Sequence, residues 1–318
     1  MSSLNDRNKY LLDEFDGVIG IDDSQLKSDN GEPWWVEAEV DGLRSEKFLA
    51  NIKSDINEKM FGHHIERATK PLFGDCKLSF TVLNFASASH VDDSINEPFR
   101  LYKDNANLVP NLIETLGVDN IEQFWHIRTD EEYGHLESVK EVFNVGDPIR
   151  PRNPYSASKA SQTLFLESLK KTFDFPVNFF VLANQYGKYQ HPSKMIPATI
   201  KRIFNNEDVL IYGNGDNYRE WTFVEDTVDV ICQEMVSDNP DSIIHISNEE
   251  GLLNNIELVD CIISTIKKYE PINMNIKFIE DRLGHDFCYR LHSEVDHKFK
   301  SLFDGIDETV RYYINIWR

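Results

Sequence analysis

Apolar residues along this 318-residue chain fall into short runs separated by longer amphipathic stretches, the pattern of strands alternating with helices. Leu4, Tyr10, Leu11, Leu12 and Phe15 mark a rough helical face, and Val18-Ile19-Gly20-Ile21 follows as a strand ending in Asp22-Asp23. The polar stretch 24–45 predicts a long loop or inserted hairpin, with Trp34-Trp35 suited to core packing or a subunit contact. Residues 48–56 predict another strand region closing at Asp55-Ile56, and the nearly continuous apolar run 78–86 predicts a strand covered on both faces. A helix runs from about Pro98 to Leu116, and the strand 124–127 delivers Thr129, Asp130 and Glu131 at its carboxyl end. After the polar stretch 134–153, a helix carries Tyr155 and Lys159 and continues through Leu164, Leu166 and Leu169. The strand 177–182 ends at Asn184-Gln185-Tyr186-Gly187. Beyond it the alternation loosens: helix 195–204, strand 209–212, a Gly-Asn-Gly-Asp turn, a segment 219–224 leading into a helix, strand 243–246, helix 256–268 and strand 276–279. The pattern has no internal repeat and predicts a doubly wound α/β N-terminal domain with a smaller mixed C-terminal part.

Composition narrows the function classes. Hydrophobic content of 41% with 27% charged residues fits a soluble globular chain. A net charge of −21 argues against a broad nucleic-acid surface, which needs clustered Lys and Arg, yet leaves room for a local basic pocket around a small anion. The four cysteines, Cys76, Cys232, Cys261 and Cys288, are scattered and form no CxxC pair; they predict reduced thiols in a cytoplasmic compartment and no metal site. No apolar run approaches the ~20 residues of a membrane span, and no signal-peptide core is present at the start.

Candidate chemistry concentrates in two places. Thr129-Asp130-Glu131 sets two carboxyls side by side at a strand end, where open α/β sheets bind ligands. Tyr155 and Lys159 share a helix face at i and i+4, so the ammonium favours the phenolate. A solvated turn is the bland reading of Asp130-Glu131, as it is of Asp22; Gly17 to Gly20 sit inside a strand and do not form a phosphate loop.

These residues sit in a longer ordered set: Asn84-Phe85-Ala86 with Ser89-His90-Val91-Asp92, Thr129 to Gly134, Asn153-Pro154-Tyr155-Ser156-Ala157-Ser158-Lys159, Asn184 to Gly187 with Pro192 to Pro197, Arg219-Glu220-Trp221, and Asp281 to Asp286. In that order they resemble the extended short-chain dehydrogenase/reductases, and within them the nucleotide-sugar 4,6-dehydratases of the dTDP-glucose type. The resemblance implies a Rossmann-like doubly wound parallel sheet over 1–185, a mainly nucleotide-sugar-binding part over 186–318 with chain exchange between the two, bound NAD, and a homodimer. It implies catalysis by Thr129, Asp130, Glu131, Tyr155 and Lys159. Asp22, Asp55, Ile56, Ala86, Tyr155 and Lys159 would contact the cofactor. Ser89, His90, Asn184, Lys194, Arg219, His245, Arg282 and His285 would contact the nucleotide sugar. Read from the residues alone, His90 suits a structural role, and His285 divides evenly between packing and substrate contact.

The chain departs from the family pattern at Ala88, Arg128, Ser193, His245 and Leu283. The resemblance also leads one to expect an opening strand and a glycine-rich GxxGxxG turn, which grips the cofactor pyrophosphate at a helix N-terminus. The sequence instead enters at its first helix. A coding start placed late, a second polypeptide supplying the segment, or a catalytically silent sugar-nucleotide-binding descendant would each account for this.

Overall fold

The computed structural model describes residues 17–22, 48–53, 56–57, 61–73, 77–237, 240 and 242–317. The expected helix over 4–15, the loop or hairpin over 24–45, Asp55 and Cys76 lie outside the described residues. Strands β1 (Gly17–Asp22) and β2 (Phe48–Lys53) pair in parallel, in register from Gly17 against Phe48 to Asp22 against Lys53. Strands β3 (Phe80–Asn84), β4 (Ile121–Thr129), β5 (Val177–Leu182) and β9 (Ile243–Ile246) form a four-stranded sheet in that order. The helices between them are α1 (Phe61–Phe73), α2 (Val91–Asn96), α3 (Pro98–Leu116) and α4 (Pro154–Phe173). The chain is thus α/β with the Rossmann-like parallel order expected of it.

By contacts the chain divides into two compact units, each assembled from separate segments. The first comprises 1–127, 157–179 and 231–242; the second comprises 128–156, 180–230 and 243–318. In the first, β3 and β4 pair in parallel from Thr81 against Gln123 to Asn84 against His126, so both bring their carboxyl ends to one edge. Its buried apolar residues include Leu101, Val109 and Leu112 of α3, Phe124 and Trp125 of β4, and Leu166 of α4. In α3 these recur at helical spacing, which is why the sequence shows its bounds; Pro98 at the start lacks only an amide that a helix would leave unpaired.

The second unit is built on α5 (Met195–Phe204), α6 (Val224–Met235), α7 (Asn255–Ile266) and α8 (Leu302–Trp317). Its core gathers Ile196, Ile200, Val209, Ile211, Phe223, Leu258, Ile262, Ile306 and Val310. Strand β8 (Tyr218–Phe223) is its hub. It pairs in parallel with β6 (Asn184–Tyr186) and β12 (Cys288–Tyr289) and antiparallel with β10 (Leu252–Asn254). Strands β7 (Val209–Tyr212) and β11 (Ile276–Ile279) form a separate parallel pair. Cys232, Cys261 and Cys288 are buried and form no disulfide among the described residues. Among the described residues no helix is long and apolar enough to cross a membrane.

Candidate active site

The second unit begins where β4 ends, and there the chain turns sharply. Thr129 has extended backbone and caps a 3₁₀ turn over Asp130–Tyr133; its Oγ1 accepts the Glu131 amide at 3.4 Å and donates to Asp130 Oδ1 at 3.1 Å. Asp130 Oδ1 also accepts the Glu131 amide at 2.9 Å. Gly134 closes the turn at φ +97°, and a side chain there would meet the Arg150 carbonyl oxygen at 2.7 Å, so glycine suits the position on both counts. This geometry buries Asp130 to 3% exposure while Glu131 stays half-buried. Burial, then the neighbouring charge of Glu131, pushes the Asp130 carboxyl up to about 7, with the Arg219 guanidinium pulling the other way. Its second oxygen, Oδ2, is buried and has no hydrogen-bond partner among the described residues. A carboxyl poised near neutrality with one bare oxygen is equipped to carry a proton to a ligand.

Asn153 ties this turn to α4. Its Oδ1 accepts the Ser156 amide at 2.8 Å as a helix cap, with Pro154 in the first helical position, while its Nδ2 donates to Glu131 Oε2 at 2.9 Å. Tyr155 follows at 9% exposure and is hydrogen-bonded to the Thr129 side chain. Burial holds its phenol far above the ordinary range, reinforced by the charges of Glu131, Glu132 and Asp130. Thr129, Asp130, Glu131 and Tyr155 therefore come together, and Lys159 lies one turn along the same helix. Beneath them Arg128 and Glu132 form a buried ion pair, Nε to Oε2 at 3.0 Å, with 2% and 0% side-chain exposure, and the guanidinium also lies over the Tyr133 ring.

In the first unit the buried Lys159 ammonium donates to the Ile127 carbonyl at 2.7 Å, at the carboxyl end of β4. The loop leaving the adjacent β3 is fixed from within. Asn84 Oδ1 accepts the Ala86 amide, and Asn105 accepts the Ala88 amide while donating to the Ala88 carbonyl and to Ser158 Oγ. A small residue, Ala86, and a buried cation thus stand over neighbouring carboxyl ends of a parallel sheet. That donor set fits the riboside end of a nicotinamide dinucleotide. Asp22 is the last residue of β1, and Ile56 lies in a turn. Ser89 is exposed, and His90 precedes α2 with its carbonyl accepting the Ser94 amide.

The remaining expected substrate residues lie in the second unit. Arg219 of β8 is buried and donates to the carbonyls of Tyr218, Phe287 and Asp286, with its guanidinium 4.2 Å from the centre of the Tyr289 ring. Asn184 opens β6, and Lys194 caps α5. His285 donates Nδ1–H to Asp281 Oδ1 at 2.7 Å as a neutral ring, since burial and then the nearby Arg282 charge push its pKa down to about 4. His245 is buried, with both ring nitrogens engaged by the protein. Nδ1 must donate to the His292 carbonyl at 3.0 Å, which leaves Nε2 to accept from the Tyr133 hydroxyl at 2.8 Å. Burial, the larger effect, brings its pKa down to about 4.

Three side chains beside the turn were not assigned from sequence. Asn153 was visible only as part of a longer motif. Asp286 anchors Arg152 at 2.9 Å and accepts the Tyr289 hydroxyl. Tyr289 feels the Glu131 charge, which places its ring near the turn over Asp130–Tyr133, and burial is the main reason its phenol stays protonated. The pairing of β12 with β8 and the bridge from Leu136 to Cys288 bring these two to the turn.

Residues 69–248 match the NAD dependent epimerase/dehydratase family, and the chain belongs to it. Its members are enzymes that work with a nicotinamide cofactor. Among individual relatives, the chain is 35% identical to the low-salt glycan biosynthesis protein Agl12 of Haloferax volcanii over 246 residues, covering 73% of this chain and 75% of that one. It is 31% identical to the dTDP-glucose 4,6-dehydratase of Haemophilus influenzae, again covering 73% of this chain and 75% of the relative. A crystal structure of the dTDP-glucose 4,6-dehydratase DesIV from Streptomyces venezuelae, holding NAD, superposes with a TM-score of 0.78 at 26% identity. The match covers 98% of this chain and 93% of that one.

Proposed function

We propose that this chain is a nucleotide-sugar 4,6-dehydratase, acting on dTDP-glucose or UDP-glucose to give the 4-keto-6-deoxy sugar nucleotide. The observation that carries the reading is the pairing of a buried carboxyl near neutrality, Asp130, with a carboxylate held by an amide, Glu131, beside a buried phenol. Elimination of water needs one group that gives a proton and one that takes a proton, and adjacent carboxyls divide those tasks when their environments separate their pKa values.

NAD, when bound, would supply the hydride acceptor for oxidation at C4 and the hydride donor for reduction at C6. Ala86, Tyr155 and Lys159 would hold its nicotinamide riboside, with Asp22 and Ile56 toward the adenosine end. Tyr155 accepts the proton of the sugar 4-hydroxyl, assisted by the charge of Lys159 one turn away and by the Thr129 hydrogen bond, against the burial and neighbouring acidic charge that otherwise keep the phenol protonated. Thr129 hydrogen-bonds the 4-oxygen. The 4-ketone acidifies the C5 proton, which Glu131 removes, while Asp130 protonates the 6-hydroxyl so that it departs as water; Glu131 then returns its proton to C5 to complete the 6-deoxy product. Arg219, Asn184, Lys194 and Arg282 contribute donors and charge to the diphosphate side, and the reading extends substrate contact to Ser89, His90, His245 and His285.

The test is incubation of the chain with NAD and each glucose nucleotide, with NMR detection of the 4-keto product. Product from either nucleotide supports the reading; intact substrate despite saturable nucleotide-sugar binding supports the silent binding protein instead. In Glu131→Gln, reduced-nicotinamide absorbance should accumulate without a 6-deoxy product. Undiminished product formation in that variant would remove Glu131 from its role.

A further inference from the structure

Asp226 and Asp229 stand three residues apart near the start of α6, so they share one face of the helix. His297, in the segment before α8, reaches the same face, with Nε2 3.4 Å from Asp226 Oδ1. One ligand atom from each residue lies within 4.8 Å of the others. Nε2 of His297 is buried without a hydrogen-bond partner among the described residues, although its ring is fixed edge-on against Phe299. The other Asp226 oxygen accepts the Lys300 amide at 2.8 Å, which orients the carboxylate from behind.

Carboxylates and lysines crowd the surroundings of this cluster. Lys300 and Lys188 both reach Glu308, and Lys188 also reaches Glu225. The lysines of this region are thus held by Glu308 and Glu225, while His297 Nε2 faces the Asp226 carboxylate. We propose that Asp226, Asp229 and His297 bind one divalent transition-metal ion, which fastens the segment before α8 to the start of α6. One imidazole and two carboxylates suit Mn²⁺ or Zn²⁺, with water completing the coordination. Donors about 2.0–2.2 Å from a tetrahedral ion lie about 3.3–3.6 Å apart, the separation that His297 Nε2 and Asp226 Oδ1 already have at 3.4 Å. The cluster contains none of the residues assigned to the dehydration, so its test stands apart from that reading.

The full chain, stripped with chelator, is titrated with MnCl2 and separately with ZnCl2 by calorimetry, and its melting temperature is recorded with and without each ion. Asp229→Asn and His297→Gln are measured alongside. The expected result is one saturable site per chain for at least one of the ions, a metal-dependent rise in melting temperature, and binding weaker by about tenfold or more in both variants. Absence of stoichiometric binding to the unaltered chain overturns the proposal, as does undiminished binding in the variants. A His297→Gln effect on melting that is the same with and without metal assigns the histidine to an ion pair with Asp226 only, and that too overturns it. Asp229 is half-buried, so Asp229→Asn keeps the test decisive if the histidine variant does not fold.

Discussion

Asp130 is ionised in an unfolded chain at neutral pH and about half protonated in the fold, because burial and the charge of Glu131 both oppose its ionisation. A displacement from 3.8 to about 7 corresponds to on the order of 4 kcal/mol at about 1.4 kcal/mol per pH unit. Its sign follows from linkage: the folded state binds this proton more tightly, so the contribution is fully present below the unfolded pKa and is lost as pH rises through about 7. Asp130→Asn keeps an oxygen for the Thr129 and Glu131 donors but cannot ionise. Its stability relative to the parent should therefore increase as pH rises from 4 to 8, while turnover falls because an amide is a poor proton donor to a leaving hydroxyl. Urea denaturation of both proteins at pH 5 and pH 8 checks this; parallel pH dependence would mean Asp130 is not held protonated. The residue types and their order were legible in the chain. The burial of Oδ2 and the nearby charge of Arg219 were not, since both depend on what the fold brings close to Asp130.

At the scale of elements, the site depends on how α4 begins. Asn153 closes the helix with one side-chain atom and holds Glu131 with the other, so the two functions can be separated by substitution. Asn153→Ala should lose about 0.5–2 kcal/mol from the missing cap together with much of the elimination rate. Asn153→Ser should recover the stability but not the rate, as serine caps a helix and cannot reach Glu131 with an amide. Denaturation midpoints and single-turnover elimination rates distinguish the two; equal recovery of both would show that the Glu131 contact contributes nothing. Elements with a strong period were read correctly: α3, β5, α5, β7, β9 and β11 match their expected bounds. Helix α1 escaped because Gly62 and Pro71 interrupt its pattern, and α8 carries Gly305 in its interior. That glycine is required by a distant partner, for a side chain there would overlap the Tyr186 hydroxyl. Strands β6, β10 and β12 have two or three residues, too few to show any period; β8 defines them by pairing.

Across the whole molecule, the outward faces of α3 and α4 in the first unit carry apolar side chains that a monomer would leave in water: Phe99 at 82% exposure, with Tyr102, Leu164 and Phe165 also exposed. We propose that these helices meet their counterparts in a second copy of the chain. Sedimentation velocity should then show a homodimer that Phe99→Asp with Phe165→Asp shifts toward monomer, whereas a monomeric parent would refute the pairing. By itself the sequence determined the alternation of strands and helices, the family, and which side chains are chemically able to act, because periodicity and ordered motifs are properties of the chain read locally. Only the tertiary structure decided their protonation and their partners: the neutrality of His245 and His285, the Asn153 contact, the approach of Tyr289, and the gathering of Asp226, Asp229 and His297. The physical reason is that desolvation and short-range charge depend on what the fold brings within a few ångströms, whatever its distance along the chain.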